Sequence, residues 1–112
     1  MATNFTNKSV TAGTTFTDVY TCPGNAKAVV FGMSISNINS GGNSITVEVR
    51  VEDVSAAEFP HTISPGTPID SGSTLIAAGG VQKIVLEEGD KLQVSCSDAD
   101  SADVFVSVLE IS

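Results

Sequence analysis

The stretch Ile45-Thr-Val-Glu-Val-Arg-Val-Glu52 alternates apolar and polar residues without a break. This period of two residues is typical of a β-strand that has one face on a core and the other in water. The composition agrees, because Val, Ile and Thr, which favour strands, supply 33 of the 112 residues while Leu supplies four. The sequence therefore predicts an all-β domain and excludes a helical bundle and a coiled coil.

The preceding segment, 28–36, alternates in the same way and is followed by a link, 37–43, that is rich in Asn, Ser and Gly. Turn residues between two alternating segments are typical of a β-hairpin. We therefore predict a hairpin with a long loop. The residues expected on one face of its first strand are Val29, Phe31, Met33 and Ile35.

A second hairpin is predicted over 81–96, because two β-like segments flank a short turn there. Gly89 can supply the positive φ that such a turn requires. In the second strand, Leu92, Val94 and Cys96 share one face, which is expected to lie on the core.

The last predicted strand, 103–111, is apolar on both sides. Such a strand lies in the middle of a sandwich or is covered by a second subunit. One side carries Val104, Val106 and Val108, and the other carries Phe105, Leu109 and Ile111.

The N-terminal residues are more polar than the rest, and we divide the chain into an N-terminal arm, 1–13, and a β-sandwich domain, 14–112. The arm is either held by a partner chain or added as a strand to its own sheet. The segment 56–80 contains three prolines and four glycines, which suit loops and edge strands. It is expected to be a long, partly ordered excursion with short strands near Thr62 and Ser73.

These segments predict a single small antiparallel β-sandwich of about eight strands. Its topology is expected to be jelly-roll-like or immunoglobulin-like. The immunoglobulin hallmarks are missing, because the chain has no Trp and because Val94 stands two residues before Cys96, where a Tyr is expected.

Cys22 and Cys96 are too far apart in sequence to form a zinc cluster or a redox pair. Two interpretations stay open, namely free and largely buried thiols, which we prefer, or a disulfide between two sheets. The N-terminus has no apolar stretch of signal-peptide length, so we expect the chain to start in a cytoplasm, where thiols stay reduced. No apolar run is long enough to cross a bilayer, so no membrane partner is expected.

The sequence shows no constellation typical of an enzyme. The single histidine, His61, has no nucleophile-elbow motif to act with. Asp98, Asp100 and Asp103 lack the spacing of a calcium loop, and we interpret them as a solvated turn. A net charge of −8 with five scattered basic residues is repelled by nucleic-acid phosphates. We therefore expect no catalytic residue, no cofactor, no metal and no nucleic acid.

Several segments, taken in order, resemble the small β-sandwich virion proteins of tailed bacteriophages. The resemblance is carried by 15–24 (TFTDVYTCPG), the strand 28–37 that ends in Asn, the strand 45–49, the segment 86–94 (LEEGDKLQV) and the valine-rich strand 103–110. Most of the chain is covered by these motifs, which encode turns and alternation.

The resemblance implies a non-enzymatic structural protein of the virion, foremost a capsid decoration (cement) protein that stabilises capsomer contacts on the outer shell. It also implies a homotrimer, assembled in the host bacterial cytoplasm, that binds the major capsid protein or another virion protein. The acidic charge favours the outer surface, because the inner wall faces packed DNA. The alternatives are a tail, neck or fibre accessory protein and, from another class, a small carbohydrate-binding module, which the lack of Trp disfavours.

The candidate interface residues come from the arm, the proline-containing middle segment and the last strand. They are Asn4, Phe5, Val10, Phe59, His61, Phe105 and Leu109.

Overall fold

The computed structural model describes residues 3–53, 60–78 and 83–112. Within these ranges the chain forms nine β-strands and contains no helix that could cross a membrane. In chain order the strands are β1 (Thr3–Ala12), β2 (Thr17–Thr21), β3 (Lys27–Asn37), β4 (Ile45–Glu52), β5 (His61–Ile69), β6 (Thr74–Ala78), β7 (Ile84–Leu86), β8 (Lys91–Cys96) and β9 (Ala102–Ile111).

The strands form two antiparallel sheets that share one core. Sheet A has the order β1-β9-β3-β6, and β7 pairs with β3 as well. Sheet B has the order β2-β8-β4-β5. The predicted class, a small antiparallel β-sandwich, is confirmed, with nine strands in place of about eight.

The core consists of the inward face of each strand. In β4 the predicted alternation holds, because Ile45, Val47 and Val49 are buried. The inward valines of β9 and the predicted inner face of β8 are buried as well. Full burial of an aliphatic side chain contributes roughly 1.5–3 kcal/mol, so these facing rows hold the two sheets together.

Both predicted hairpins are wrong, because each pair of strands is divided between the sheets. β3 and β7 belong to sheet A, whereas β4 and β8 belong to sheet B. The turn between β7 and β8 bonds to another segment: Gly89 N–H donates to the Cys22 carbonyl at 3.0 Å, and Cys22 N–H donates to the Asp90 carbonyl at 2.9 Å. Gly89 has the positive φ that was predicted, at 84°. Alternation shows which side of a strand faces the core, and two strands that face each other across a core satisfy it as well as two strands that pair.

β3 contains a β-bulge that the sequence analysis missed. In its pairing with β9, Val30 lies opposite Val108 and Gly32 lies opposite Ser107, so that Phe31 has no partner in the ladder. One extra residue on one strand reverses the alternation beyond it.

The bulge corrects the predicted faces of β3. Ala28 and Val30 before it and Met33 and Ile35 after it are all buried, whereas Phe31 is 38% exposed. The expectation of one shared face is therefore wrong for Val29, Phe31, Met33 and Ile35.

Deletion of Phe31 is expected to leave the fold intact, because this residue is the extra one of the bulge. Without it, Val30 and Gly32 become neighbours and the ladder with β9 runs without a shift. Deletion of Ser34 is the matched control, since it forces Met33 or Ile35 outward and costs about 2–5 kcal/mol. Urea denaturation of both deletion variants compares their free energies of unfolding. Equal destabilisation by the two deletions would contradict the bulge.

The N-terminal segment is a strand of its own sheet. β1 pairs with β9 from Thr3 opposite Ile111 to Ala12 opposite Ala102, without a register shift. Ala12 is fully buried and Val10 packs against the core. Of the two interpretations left open by the sequence, the structure shows the strand added to its own sheet.

The described part of the middle segment, 60–78, is more regular than the sequence suggested. Residues His61–Ile69 form β5, an edge strand of sheet B that pairs with β4. Pro65 and Pro68 lie within this strand, in agreement with the expectation of an edge position. The strand predicted near Ser73 is β6.

Tyr20 connects the two sheets. Its hydroxyl, on β2 of sheet B, donates a hydrogen bond to the carboxylate of Glu110, on β9 of sheet A. Burial raises the pKa of Tyr20 above its ordinary value of 10.0, and the hydrogen bond and charge of Glu110 add to the shift. The phenol therefore stays protonated near neutral pH and keeps this link.

Cys22 and Cys96 are free and buried, which confirms the preferred interpretation. Thr21, just before Cys22, lies opposite Lys91 at the start of β8, and Cys96 ends that strand. Because Lys91 and Cys96 are about 16 Å apart along β8, the two cysteines lie at opposite ends of that strand, whereas a disulfide needs Cα atoms within about 7 Å. Burial raises the pKa of the Cys22 thiol, which donates to the Ala26 carbonyl at 3.4 Å.

Candidate interaction surface

The outer surface of sheet A, which we call the sheet A face, is arranged in rows that cross the strands. The rows follow from the register of β1, β3, β6 and β7 around β9. The Leu109 row holds Phe5, Leu109, Val29 and Val85; the Ser107 row holds Asn7, Ser107 and Gly32; the Phe105 row holds Ser9, Phe105, Ser34 and Ile76.

Large apolar side chains of the sheet A face project into solvent. Phe5 is 77% exposed, Ile76 65%, Val85 64% and Phe105 47%. The ring of Phe5 meets the ring of Phe31 edge to face, with centroids 5.9 Å apart, an arrangement that adds to plain apolar contact. Several large exposed apolar side chains on one face of a sheet mark a site of interaction.

A shallow groove crosses the middle of the sheet A face. Its floor is made by small residues, Gly32, Ser34 and Ser107, and its walls by Phe105 and Ile76. A Cβ atom at Gly32 would lie 3.7 Å from Cβ of Ser107. The small side chains let another surface approach the backbone here.

Charged residues border the sheet A face without entering its three rows. Lys27 lies beyond the Leu109 row, opposite Ile111, and lines the same surface depression as Glu87. Asp103 lies beyond the Phe105 row, and Lys83 precedes β7 at the edge of the sheet. The span from Asp103 to Ile111 along β9 is about 27 Å. The face thus has Lys27 with Glu87 beside it at one end and Asp103 at the other.

The outer surface of sheet B is polar and its groups bond to one another. Nε of Arg50 donates to Oε1 of Gln93 at 2.8 Å, and Nε2 of Gln93 donates to Oδ1 of Asp18 at 2.7 Å. The guanidinium of Arg50 lies over the ring of Phe16, 3.6 Å from its centroid. Nζ of Lys91 lies 3.8 Å from Oδ2 of Asp18. The two outer faces of the sandwich therefore differ in chemistry.

The aspartates before β9 support the fold. Nδ2 of Asn39 donates to Oδ2 of Asp98 at 3.2 Å and to Oγ of Ser101 at 3.0 Å. Asp100 has a φ of 54°, which an aspartate tolerates in a turn. In the ranges that the structure describes, no three His, Cys, Asp or Glu side chains are grouped to hold a metal ion.

The structure brings together three of the predicted interface residues, Phe5, Phe105 and Leu109, on the sheet A face. The remaining four lie elsewhere: Asn4 and Val10 belong to the opposite side of β1, His61 is exposed at the start of β5, and Phe59 lies outside the described residues.

The sequence analysis missed Phe31, Ile76 and Val85. Gly32 within β3 was the available signal for Phe31, because a glycine inside a strand often marks a bulge. Ile76 and Val85 stand in short strands and join the surface only through the register of β6 and β7 with β3.

No protein-family model matches the chain, and no curated protein matches it. Among solved structures, the chain is similar to one in the acid-stable capsid of Helicobacter pylori bacteriophage KHP30, with a TM-score of 0.54 and 12% sequence identity. The match covers 100% of this chain and 94% of the other.

The chain is also similar to one from Bacillus endospore appendages, which are described as a novel family of disulfide-linked pili. The TM-score is 0.53 at 14% identity, and the match covers 99% of this chain and 87% of the other. At such low identity, these two likenesses show a shared fold.

Proposed function

We propose that this protein is a non-enzymatic structural protein of a phage virion, and more narrowly a decoration protein on the outer surface of the capsid. The observation that carries the proposal is the sheet A face, whose three rows are free of charge although the chain has a net charge of −8. A surface of this chemistry serves contact with another protein. The fold shared with a chain of the KHP30 capsid supports the virion as the place of that contact.

The charge supports the outer side of the shell. Thirteen acidic residues stand against five basic ones. The inner wall of a filled capsid faces densely packed phosphates, which repel an acidic protein. The partner of this proposal is therefore the outer surface of the major capsid protein.

The free edge of β1 is the proposed attachment to that partner. β1 has ten residues, no proline and no register shift, and among the described strands none pairs with its outer side. The edge strands β2 and β6 have five residues each, and β5 contains Pro65 and Pro68. Long regular edges accept a strand from another chain, whereas short or proline-containing edges resist it.

Two alternative functions differ from that of a decoration protein, one in the position on the particle and the other in the bonds that link the subunits. A tail, neck or fibre accessory protein could use the same surfaces, and its position on the particle separates it from a decoration protein. A disulfide-linked filament gains no support, because Cys22 and Cys96 are only 2% and 4% exposed.

Binding to isolated particle fractions tests the proposal. Purified protein is added to heads and, separately, to tails of phage particles assembled without it, and the bound amount is measured after sedimentation. We expect saturable binding to heads, at a fixed ratio to the major capsid protein, and a higher temperature of DNA release. Binding to tails alone would favour the accessory protein, and binding to neither would contradict a virion role. An unrelated acidic protein of similar size is the control for charge.

A further inference from the structure

We infer that the sheet A face is an interface between two copies of this chain, which pack face to face with their strands antiparallel about a twofold axis. This inference concerns the free protein and does not rest on a place in the virion. A flat sheet face is covered completely by its own copy only in twofold symmetry, because a threefold ring joins two different surfaces. The homotrimer implied by the resemblance is the competing prediction, and the mass of the protein in solution distinguishes the two.

The row pattern defines the axis. When the axis lies along the Ser107 row, across the strands, the Leu109 row of one copy covers the Phe105 row of the other. Sheets pack about 10 Å apart, and the small Gly32 and Ser107 lie at the centre, at one end of the groove. The pairs formed across the interface are Leu109 with Phe105, Val85 with Ile76, Phe5 with Ser9 and Val29 with Ser34.

These pairs complement one another in size and polarity. Two of them join apolar side chains: Ile76 and Val85 are each about two-thirds exposed in the single chain, and exposed Phe105 meets partly buried Leu109. In the other two, Phe5 and Val29 meet serines, so that a large group lies over a small one. The dimer interface thus buries exposed apolar area, and only two of the four pairs place one large side chain against another.

The charges select the antiparallel arrangement. The rotation brings Lys27 of each copy to Ser36 of the other, one strand away from Asp103 of that copy. One strand spacing is about 4.8 Å, which the lysine side chain spans. With parallel strands, each end of the face would cover the same end of the other copy, so that the two Asp103 side chains would lie near each other, as would the two Lys27 side chains. The approach of Lys27 to Asp103 therefore favours the antiparallel direction of packing.

The other bordering charges fit this arrangement. Glu87 of each copy lies beyond β7 and comes over Thr74, at the start of β6, in the other. The two copies of Lys83 become neighbours at the rim, where Lys83 is exposed and water screens like charges.

The mass of the protein in solution tests the inference. Sedimentation velocity of the wild-type chain over a range of concentrations is expected to show a dimer of twice the 11.5 kDa chain mass. A mass that stays monomeric at every concentration, or a trimer, would overturn the inference. The dimer covers the sheet A face and leaves the free edge of β1 open for the capsid, so binding to capsids is judged separately by the experiment with heads and tails.

A pair of matched variants locates the contact. Ile76→Asp, on the sheet A face, is expected to raise the Kd of the dimer at least about a hundredfold, because a carboxylate is buried against Val85 of the partner. Ile38→Asp is the control, since Ile38 is 49% exposed and lies in the link between β3 and β4. Thermal unfolding verifies that both variants are folded. An equal effect of the two variants, or none, would overturn the location.

Charge exchange tests the direction of packing. Lys27→Glu and Asp103→Lys are each expected to raise the Kd about tenfold, because each brings like charges together across the interface. The double variant restores opposite charges and is expected to return to within about threefold of wild type. Additive weakening in the double variant would overturn the antiparallel arrangement.

Discussion

Asn37→Asp is expected to lower the free energy of unfolding by about 3–4 kcal/mol at neutral pH, or about 15 °C in Tm. Asn37 is only 6% exposed at the end of β3. Its Nδ2 group donates to the carbonyls of Asn43 and Ile69, both at 2.9 Å, and its Oδ1 accepts from Asn39 N–H at 2.9 Å. The Asn37 side chain thus joins the link between β3 and β4 to the end of β5.

The aspartate has the same shape but cannot donate, so it places a buried carboxylate against two carbonyl oxygens. Urea denaturation at pH 7 and at pH 4 measures the effect. The loss is expected to shrink at the lower pH, because a protonated carboxyl can donate one of the two bonds. Asn43→Asp is the matched control, since the Asn43 side chain is exposed, and it is expected to change stability by less than about 0.5 kcal/mol. Similar stability of the two variants at pH 7 would show that Asn37 does not hold the link.

Deletion of residues 1–12 is expected to lower the free energy of unfolding by about 3 kcal/mol or more. The deletion removes the strand that pairs with β9 at ten positions. It also removes Val10 and Ala12, which pack in the core, and so exposes the core residues next to them. Each lost backbone hydrogen bond costs about 0.5–1.5 kcal/mol, less the entropy that the freed strand regains. Urea denaturation of the truncated and the full chain gives the difference.

Two further measurements show that backbone pairing is the cause. A synthetic peptide of residues 1–13 is expected to restore much of the stability when added in excess, because it binds the folded chain at β9. Phe5→Ser, which keeps the strand and changes an exposed side chain, is expected to cost less than about 1 kcal/mol. A truncated chain that unfolds at the same urea concentration as the full one would show that β1 is not an integral strand.

The inner faces of the strands could be predicted from the sequence, because a period of two is a local property. Ile45, Val47 and Val49 are an example. The pairing of strands could not, because it depends on contacts between distant segments. β3 and β4 alternate as the strands of a hairpin do, yet they lie in different sheets, and nothing within 28–52 distinguishes the two outcomes.

The candidate surface could be predicted only in part, for the same reason. Phe105 and Leu109 could be proposed for it because the apolar outer side of β9 is visible within one strand. Val85 and Ile76 lie on the same face as β9 because β7 and β6 both pair with β3, which in turn pairs with β9. The bulge at Phe31 determines which residues of β3 face outward. The positions of the bordering charges relative to this face follow only from the strand register, because Lys27 and Asp103 are far apart in the sequence.

The central claim, a decoration protein on the outer capsid, is tested most directly by its copy number in purified virions. Quantitative mass spectrometry of particles produced from the genome that encodes this chain gives its ratio to the major capsid protein. The account predicts a ratio on the order of one, because a decoration protein occupies repeated positions over the whole shell. Only a few copies per particle, as expected of a tail or neck component, or none at all, would contradict it.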